Sequence, residues 1–318
     1  MPPAARPRVA ISLGDPYGIG PEVLALALAR TSVRHALHPV VFGDRSVLAR
    51  AAASRGVRLP AKLELVELST LDSPRFPFGK PPPGSGRHAI AYLEAAVAAV
   101  KAGEAAALCT APVHKAQLVE AGFAFTGHTD FLRERFGVPR VVMMLAGPTL
   151  RVALATVHLP LAEVAQALSI EGLVETLVIL SRALRRDFGI PRPRLAVTGV
   201  NPHAGEGGLL GSEELRVVEP AVRAARARHL DVRGPFPADS LFARQIRTRE
   251  FDAILAMNHD QGLGPLKAVD FERAVNVTLG LPRPRTSPDH GVAYDIAGKG
   301  VASATSLIEA LLLAAKLA

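Results

Sequence analysis

Three histidines each follow a short apolar run: His158 in "TVHLP", His203 in "NPHAGEGG" and His259 in "MNHDQG". A single loop histidine is more often a structural hydrogen-bonding group than a ligand. Here, however, His114, His128, His158, His203, His259 and His290 all sit at strand ends or in loops with glycine, proline or aspartate, whereas His35, His38, His88 and His229 lie in helical or arginine-rich contexts. If the runs before His158, His203 and His259 are strands ending at one face, three neutral imidazoles converge with coordination positions left open. That is the arrangement of a catalytic divalent metal, and zinc, cobalt and others suit it. The glycines behind His203 let the backbone turn sharply so that the ring points inward. The long separations carry less weight than an HExxH pair on one helix.

A second group could hold an anion. Lys267 in "GPLKAVDF", Asn276 in "AVNVTLG" and Arg285 in "PRTSPDHG" supply a point charge, an amide and a planar fork for phosphate or carboxylate. Single lysines and arginines are usually surface residues, but here two cations bracket an asparagine in an apolar run.

These residues must be positioned by an α/β scaffold. "RVAISLG", "PVVFGD", "LELVEL", "AALCTAPV", "RVVMMLAG", "LRVALATVH", "RLAVTGV", "FDAILAM" and "AVNVTLGL" read as strands. Between them, "GPEVLALALAR", "HAIAYLEAAVAAVKAG", "SIEGLVETLVILSRALRRDFG" and "SEELRVVEPAVRAARARHL" read as helices, the first with Pro21 and Glu22 in its opening turn and the second ending at a glycine. The polar clusters lie where strands end, the usual place for ligand sites in open α/β sheets. One of them, "GDPYGIGPEV", follows a strand and opens a helix as a dinucleotide turn does. It fails on spacing, because Val23 stands at the third glycine position and Pro21 at the helix start. Gly14, Asp15 and Pro16 are instead expected to make a sharp turn. There is no GxxxxGK[ST] phosphate loop either.

The whole chain sets the outer bounds. Its 318 residues, 49% apolar, suffice for two α/β domains or one large one. The lone Cys109 excludes a disulfide framework or a cysteine-rich zinc site and suits a reducing cytoplasm. The apolar stretch before Asp15 is too short for a signal-peptide core, and no run approaches the roughly 18 apolar residues that span a bilayer, so a soluble cytoplasmic protein is expected, with no membrane partner. The formal charge of +8 is spread over arginines mixed with apolar helix positions, and aromatic residues are only 5% of the chain. That pattern excludes nucleic acid as the expected partner and suits small anionic substrates.

Taken together, "GDPYGIGPE", "CTAPVHK", "GHTDFL", "VHLPL", "GVNPHAGEGG", "GPFPADSLF", "HDQGLGPLK" and "VNVTLGLPRPRTSPDHG" resemble the 4-hydroxythreonine-4-phosphate dehydrogenase family over nearly the whole chain. "HGVAYDIAGKGVA" is also similar to the cofactor loop of isopropylmalate and isocitrate dehydrogenases, whose fold this family shares and which bind NAD without the glycine fingerprint.

The resemblance implies two α/β/α domains with a cleft between them: residues 1–135 plus 285–318 carrying the cofactor-side loop, and residues 136–284 carrying the metal site and dimer interface. It implies that His158, His203 and His259 hold a divalent metal (zinc, magnesium or cobalt), with His259 supplied by the partner subunit of a homodimer that shares its active site. It implies substrate contacts from His128, Thr129, Lys267, Asn276 and Arg285. Cofactor contacts would come from His290, Gly291, Asp295 and Ile296, with NAD, or alternatively NADP, as the cofactor. Lys267 and Asp239 are the implied catalytic side chains, a metal-bound water being the other proton acceptor considered.

The implied reaction is oxidation of 4-phosphooxy-L-threonine with decarboxylation to 3-amino-2-oxopropyl phosphate, a step of pyridoxal phosphate (vitamin B6) biosynthesis. Asp130 stands where glutamate is usual in the family, His114 where asparagine is usual and Asn258 where tyrosine is usual, and "RPR" replaces an apolar pair before Arg285. These departures spare the metal set and bear on substrate choice. The alternatives are a threonate or erythronate 4-phosphate, or a carboxylated cis-diol. A metal-dependent hydrolase could use the same histidines without nicotinamide, and a noncatalytic solute-binding protein could share the two-domain architecture.

Overall fold

The computed structural model describes residues 6–71, 76–125 and 127–318. Every apolar run read as a strand forms one: β1 (Arg8–Ser12), β2 (His38–Gly43), β3 (Glu64–Glu67), β4 (Ala107–Thr110), β5 (Val142–Ala146), β6 (Arg151–Leu154), β7 (Arg194–Thr198), then β9 (Ala253–Ala256) and β10 (Val275–Leu279). Two further strands, β8 (Asp231–Phe236) and β11 (Arg285–Pro288), were not expected. "DVRGPF" is broken by arginine, glycine and proline, and it lies at an edge of the sheet order, where a missing N–H is tolerated. "RTSP" has no apolar side chain except proline, yet all four residues are buried.

The chain divides into two compact units, Met1–Val138 with Leu281–Ala318, and Pro139–Gly280. In the first, the strand order is β3-β2-β1-β4-β11 and every pairing is parallel. Consecutive residues of β1, β4 and β11 are buried, so both faces of this sheet are covered, as parallel sheets require. Helices Gly86–Lys101 and Thr305–Leu317 pack on these strands. Gly103, two residues past the first of them, takes φ +79°, as the terminal glycine predicts.

In the second unit the order is β10-β5-β6-β9-β7-β8. Only β5 runs antiparallel to its neighbours; β6, β9, β7 and β8 are mutually parallel. The C-terminal ends of β6, β9 and β7 therefore emerge side by side on one sheet edge. Helix Ile170–Arg186 buries Leu173, Leu177, Leu180 and Leu184, a 4-3-4 spacing that makes one apolar stripe, and Ser169 caps it by accepting the Gly172 N–H at 3.1 Å.

The expected single helix in "SEELRVVEPAVRAARARHL" needs correction. Glu214–Val218 forms a wider π turn, and the α-helix runs only from Glu219 to Ala227. Pro220 has no N–H to give the preceding turn, and the chain widens just ahead of it. Among the described residues, no single helix is long and apolar enough to cross a membrane.

Candidate active site

The sheet edge formed by β6, β9 and β7 is tied together by short polar bonds. Past β6, the Ala155 N–H reaches Ala256 O at 2.8 Å, and the Thr156 hydroxyl reaches Met257 O at 2.7 Å. Gln261 joins β9 to β7. Its Oε1 accepts from Met257 N and Thr198 Oγ1, both at 2.8 Å, and its Nε2 donates to Gly199 O at 2.8 Å. Gln261 is placed by the helix His259–Asp270, whose N-cap Asn258 accepts the Gln261 N–H at 2.9 Å.

His259 opens this helix and His158 follows the β6 tail, which brings their rings to 6.0 Å between centroids. His259 Nδ1 lies 2.7 Å from Asp260 Oδ1, so its Nε2 is the nitrogen left to face outward.

His203 is held by an unusual backbone. Residues 203–207 all have positive φ: His203 +52°, Ala204 +53°, Gly205 +76°, Glu206 +45° and Gly207 +67°. A run of left-handed residues is strained for side chains other than glycine by about 1–2 kcal/mol each, so the surroundings must impose it. The buried Glu214 does so. Its carboxylate accepts from Val200 N and Asn201 N, both at 2.7 Å, and from Asn201 Nδ2 at 2.9 Å. Gly205 lies so close that a Cβ there would sit 2.5 Å from Glu214 Oε2. The glycine-rich turn thus fits its backbone around a carboxylate and leaves His203 exposed at the tip.

Strand order brings the three histidine-bearing ends to one edge, but the imidazoles of one chain pair rather than close. His158 and His259 are neighbours, and among the described residues no three of the histidine, cysteine or carboxylate side chains form a group that could hold a metal. The resemblance placed His259 across a subunit boundary; within one chain it already stands beside His158.

In the first unit, the charge of Arg285 acts on His128. Arg285 is 2% exposed on β11 and donates through Nη2 to Thr110 Oγ1 at 2.6 Å. Burial pushes its guanidinium down to about 10, so it stays charged at neutral pH. His128 opens the helix His128–Phe136, whose N-cap, Gly127, offers no side-chain bond. Its Nε2 is buried without a hydrogen-bond partner. Burial, then the nearby charges of Arg285 and Lys115, push its pKa down to about 3 and keep it neutral. A buried guanidinium, a neutral imidazole and an uncapped helix start together favour an anion. Thr129, half-buried, is in the same first turn.

The other expected residues are spread through the second unit. Lys267 is half-buried on the last turns of helix His259–Asp270, and Asn276 lies in β10 with Oδ1 buried and unpartnered. Asp239 is exposed in the first turn of helix Ala238–Thr248 and accepts the Ser240 N–H at 2.7 Å.

His290, Gly291, Asp295 and Ile296 lie on the loop between β11 and helix Thr305–Leu317. A Cβ on Gly291 would meet open space, while the buried Nε2 of His290 has no hydrogen-bond partner. The loop is gripped by "GDPYGIGPE": Tyr294 donates its hydroxyl to Asp15, Ile19 N–H reaches Val292 O at 2.9 Å, and Gly298 N–H reaches Glu22. Sequence reasoning did not single out Tyr294, Glu22, Glu214 or Gln261 as supports. For Glu22 the available signal was an acid amid an apolar helix; Glu214 and Gln261 resemble ordinary surface polar residues.

A family model described as "Pyridoxal phosphate biosynthetic protein PdxA" matches residues 35–314. A 4-hydroxythreonine-4-phosphate dehydrogenase of Burkholderia vietnamiensis is 48% identical over 315 residues, covering 97% of this chain and 95% of that protein. The crystal structure of a 4-hydroxythreonine-4-phosphate dehydrogenase from Klebsiella pneumoniae superimposes with a TM-score of 0.87 at 37% identity, covering 97% of this chain and 98% of that one. A terephthalate 1,2-cis-dihydrodiol dehydrogenase from Burkholderia xenovorans gives 0.67 at 30% identity, covering 98% of each chain.

Proposed function

The chain belongs to the family of the pyridoxal phosphate biosynthetic protein PdxA, with its isocitrate/isopropylmalate dehydrogenase-like fold, and from that premise we propose that it oxidises 4-phosphooxy-L-threonine with NAD, and decarboxylates it to 3-amino-2-oxopropyl phosphate. The observation that carries this reading is the emergence of His158, His259 and His203 from three adjacent parallel strands on one edge.

The support is the donor type: imidazole suits a divalent ion. His158 and His259 of one chain pair at 6.0 Å between ring centroids without a third ligand among the described residues, and His203 is exposed on the neighbouring strand end, so the reading calls for a set completed by a second subunit. His158 and His203 of one subunit with the partner subunit's His259 would hold zinc, magnesium or cobalt. When bound, the ion supplies Lewis acidity to the substrate alcohol, and NAD, or alternatively NADP, accepts the hydride. Arg285, His128 and Thr129 bind the phosphate end, with Lys267 and Asn276 as further polar contacts. Lys267 Nζ and the Asp239 carboxylate are the proposed proton carriers. His290, Gly291, Asp295 and Ile296 receive the cofactor, and the open space beside Gly291 supports its close approach to backbone.

A homodimer is part of the proposal. Leu159 (43% exposed) and Leu161 (77%) follow His158, and Leu209 (82%) and Leu210 (43%) follow the turn that carries His203. Apolar side chains this exposed around two proposed ligands suit burial against a second copy. A cytoplasmic setting without nucleic-acid or membrane partners completes the reading.

A second reading, oxidation of a carboxylated cis-diol, is favoured by the likeness to the Burkholderia xenovorans enzyme and by the Arg285 fork, which suits carboxylate as well as phosphate. The deciding experiment supplies 4-phosphooxy-L-threonine, threonate 4-phosphate, erythronate 4-phosphate and a carboxylated cis-diol with NAD and each divalent ion, following NADH and released carbon dioxide. NADH with carbon dioxide from 4-phosphooxy-L-threonine is expected. Hydrolysis without NADH would replace the dehydrogenase reading with a hydrolase.

A further inference from the structure

The "GDPYGIGPE" segment resembles a dinucleotide turn without being one, and the structure gives it another role. Three of its residues, spaced three to four apart, each grip the loop between β11 and the last helix. Asp15, 2% exposed, receives the Tyr294 hydroxyl. Its other oxygen accepts Tyr17 N–H at 2.9 Å, and its own N–H is bound to Pro112 O at 2.9 Å, so the carboxylate is fixed before Tyr294 meets it. Ile19 N–H holds Val292 O, and Gly18 is packed so that a Cβ would lie 2.8 Å from that same oxygen. Glu22, fully buried, accepts from Gly298 N–H and pairs with Arg55 at 3.3 Å, while Arg55 also donates to Ala302 O at 3.1 Å.

Between the first two grips, Ala293 is forced to φ +43°. A non-glycine residue keeps that conformation only where its neighbours over-determine it. Tyr294, immediately after Ala293, places its hydroxyl on the buried Asp15 of the segment. Its phenol is held in the neutral, donating form by burial and by Asp15.

We propose that Tyr294 is a positioning residue: by donating to Asp15 it fixes the left-handed turn at Ala293, so that His290 and Gly291 on one side and Asp295 and Ile296 on the other stand preformed for the nicotinamide cofactor. This rests on the proposed reading of the loop as a cofactor site. A preformed loop is not ordered at the moment of binding, so its affinity is higher than that of a mobile one.

The test is Tyr294→Phe, which removes one oxygen and keeps the ring, compared with wild type by NADH fluorescence titration, steady-state kinetics and thermal unfolding. The expected result is a Kd for NADH raised about five- to twentyfold, the size of one lost intramolecular hydrogen bond. The KM for NAD should rise in step, while kcat at saturating NAD and the substrate KM change by less than about twofold. Asp15→Asn, which can still bond the phenol, should keep the Kd within about threefold of wild type. Unchanged NADH affinity in Tyr294→Phe, with only a lower unfolding temperature, would make the bond merely structural and overturn the inference. Wild-type protein that binds neither NADH nor NADPH would overturn the cofactor reading itself, and this inference with it.

Discussion

The rings of His158 and His259 lie 6.0 Å apart although 101 positions separate them in the chain, because β6 and β9 are parallel neighbours whose ends are stitched by the Thr156 hydroxyl on Met257 O. Side chains this far apart in sequence meet only through sheet order, and under the proposed reading each is a ligand of a divalent ion, His259 across the subunit boundary. His158→Ala, His203→Ala and His259→Ala should each lose turnover by about a thousandfold or more and release bound divalent metal, with circular dichroism unchanged. Metal content by mass spectrometry checks this. A His158→Ala enzyme that keeps both metal and rate would remove the ligand assignment.

Gly205→Ala should act at a distance from the chemistry. Its Cβ would press 2.5 Å from Glu214 Oε2 at a backbone angle of +76°, so either the carboxylate or the turn must move. A stability loss of about 2–4 kcal/mol is expected from the strain and the disturbed buried bonds. Metal affinity should fall at least about tenfold because His203 lies two residues away. Calorimetric titration with zinc, read beside urea unfolding, separates the two effects.

Arg285→Ala removes a buried cation from β11. For a phosphorylated substrate the KM should rise about ten- to a hundredfold, equivalent to roughly 1.5–3 kcal/mol for a lost charged hydrogen bond, while the KM for NAD stays near wild type. Arg285→Lys should recover little, since a point charge does not reproduce the fork. Equal losses for substrates with and without phosphate would contradict the role.

His128 predicts an acid-sensitive fold. Its folded pKa, about 3, lies below the unfolded value of about 6.5, chiefly through burial and then through Arg285 and Lys115. At neutral pH both states hold the ring neutral. As pH falls below about 6.5 the unfolded chain takes up the proton first, and stability is lost progressively down to about pH 3. His128→Gln should flatten this slope, by roughly 1–3 kcal/mol over that window, in denaturant unfolding measured at several pH values. An identical pH slope in the variant would show that the imidazole does not titrate this way.

Much of the site was legible locally because strands are written in short apolar, β-branched runs and the reactive residues follow them. His158, His203 and His259 could be placed at strand ends from "LRVALATVH", "RLAVTGV" and "FDAILAM" without any structure. The strand at "RTSP" was not legible, because its four residues carry no β-pattern. They form β11 by pairing with β4, which the chain reaches only after both units are threaded. The left-handed turn at 203–207 was hidden for a similar reason: its glycines announced a bend, but its shape depends on Glu214, which sequence alone cannot aim at Val200 and Asn201.

The sequence by itself determined the α/β alternation, the family and the identity of the reactive side chains, since these depend on residue type and short-range order. Tertiary structure decided which of them meet. The order β6-β9-β7 sets His158 beside His259 and leaves His203 on the next strand end, and Asp15 finds Tyr294 from the other end of the chain. Those meetings follow from burying both faces of parallel sheets, a requirement of the whole core that no local stretch encodes.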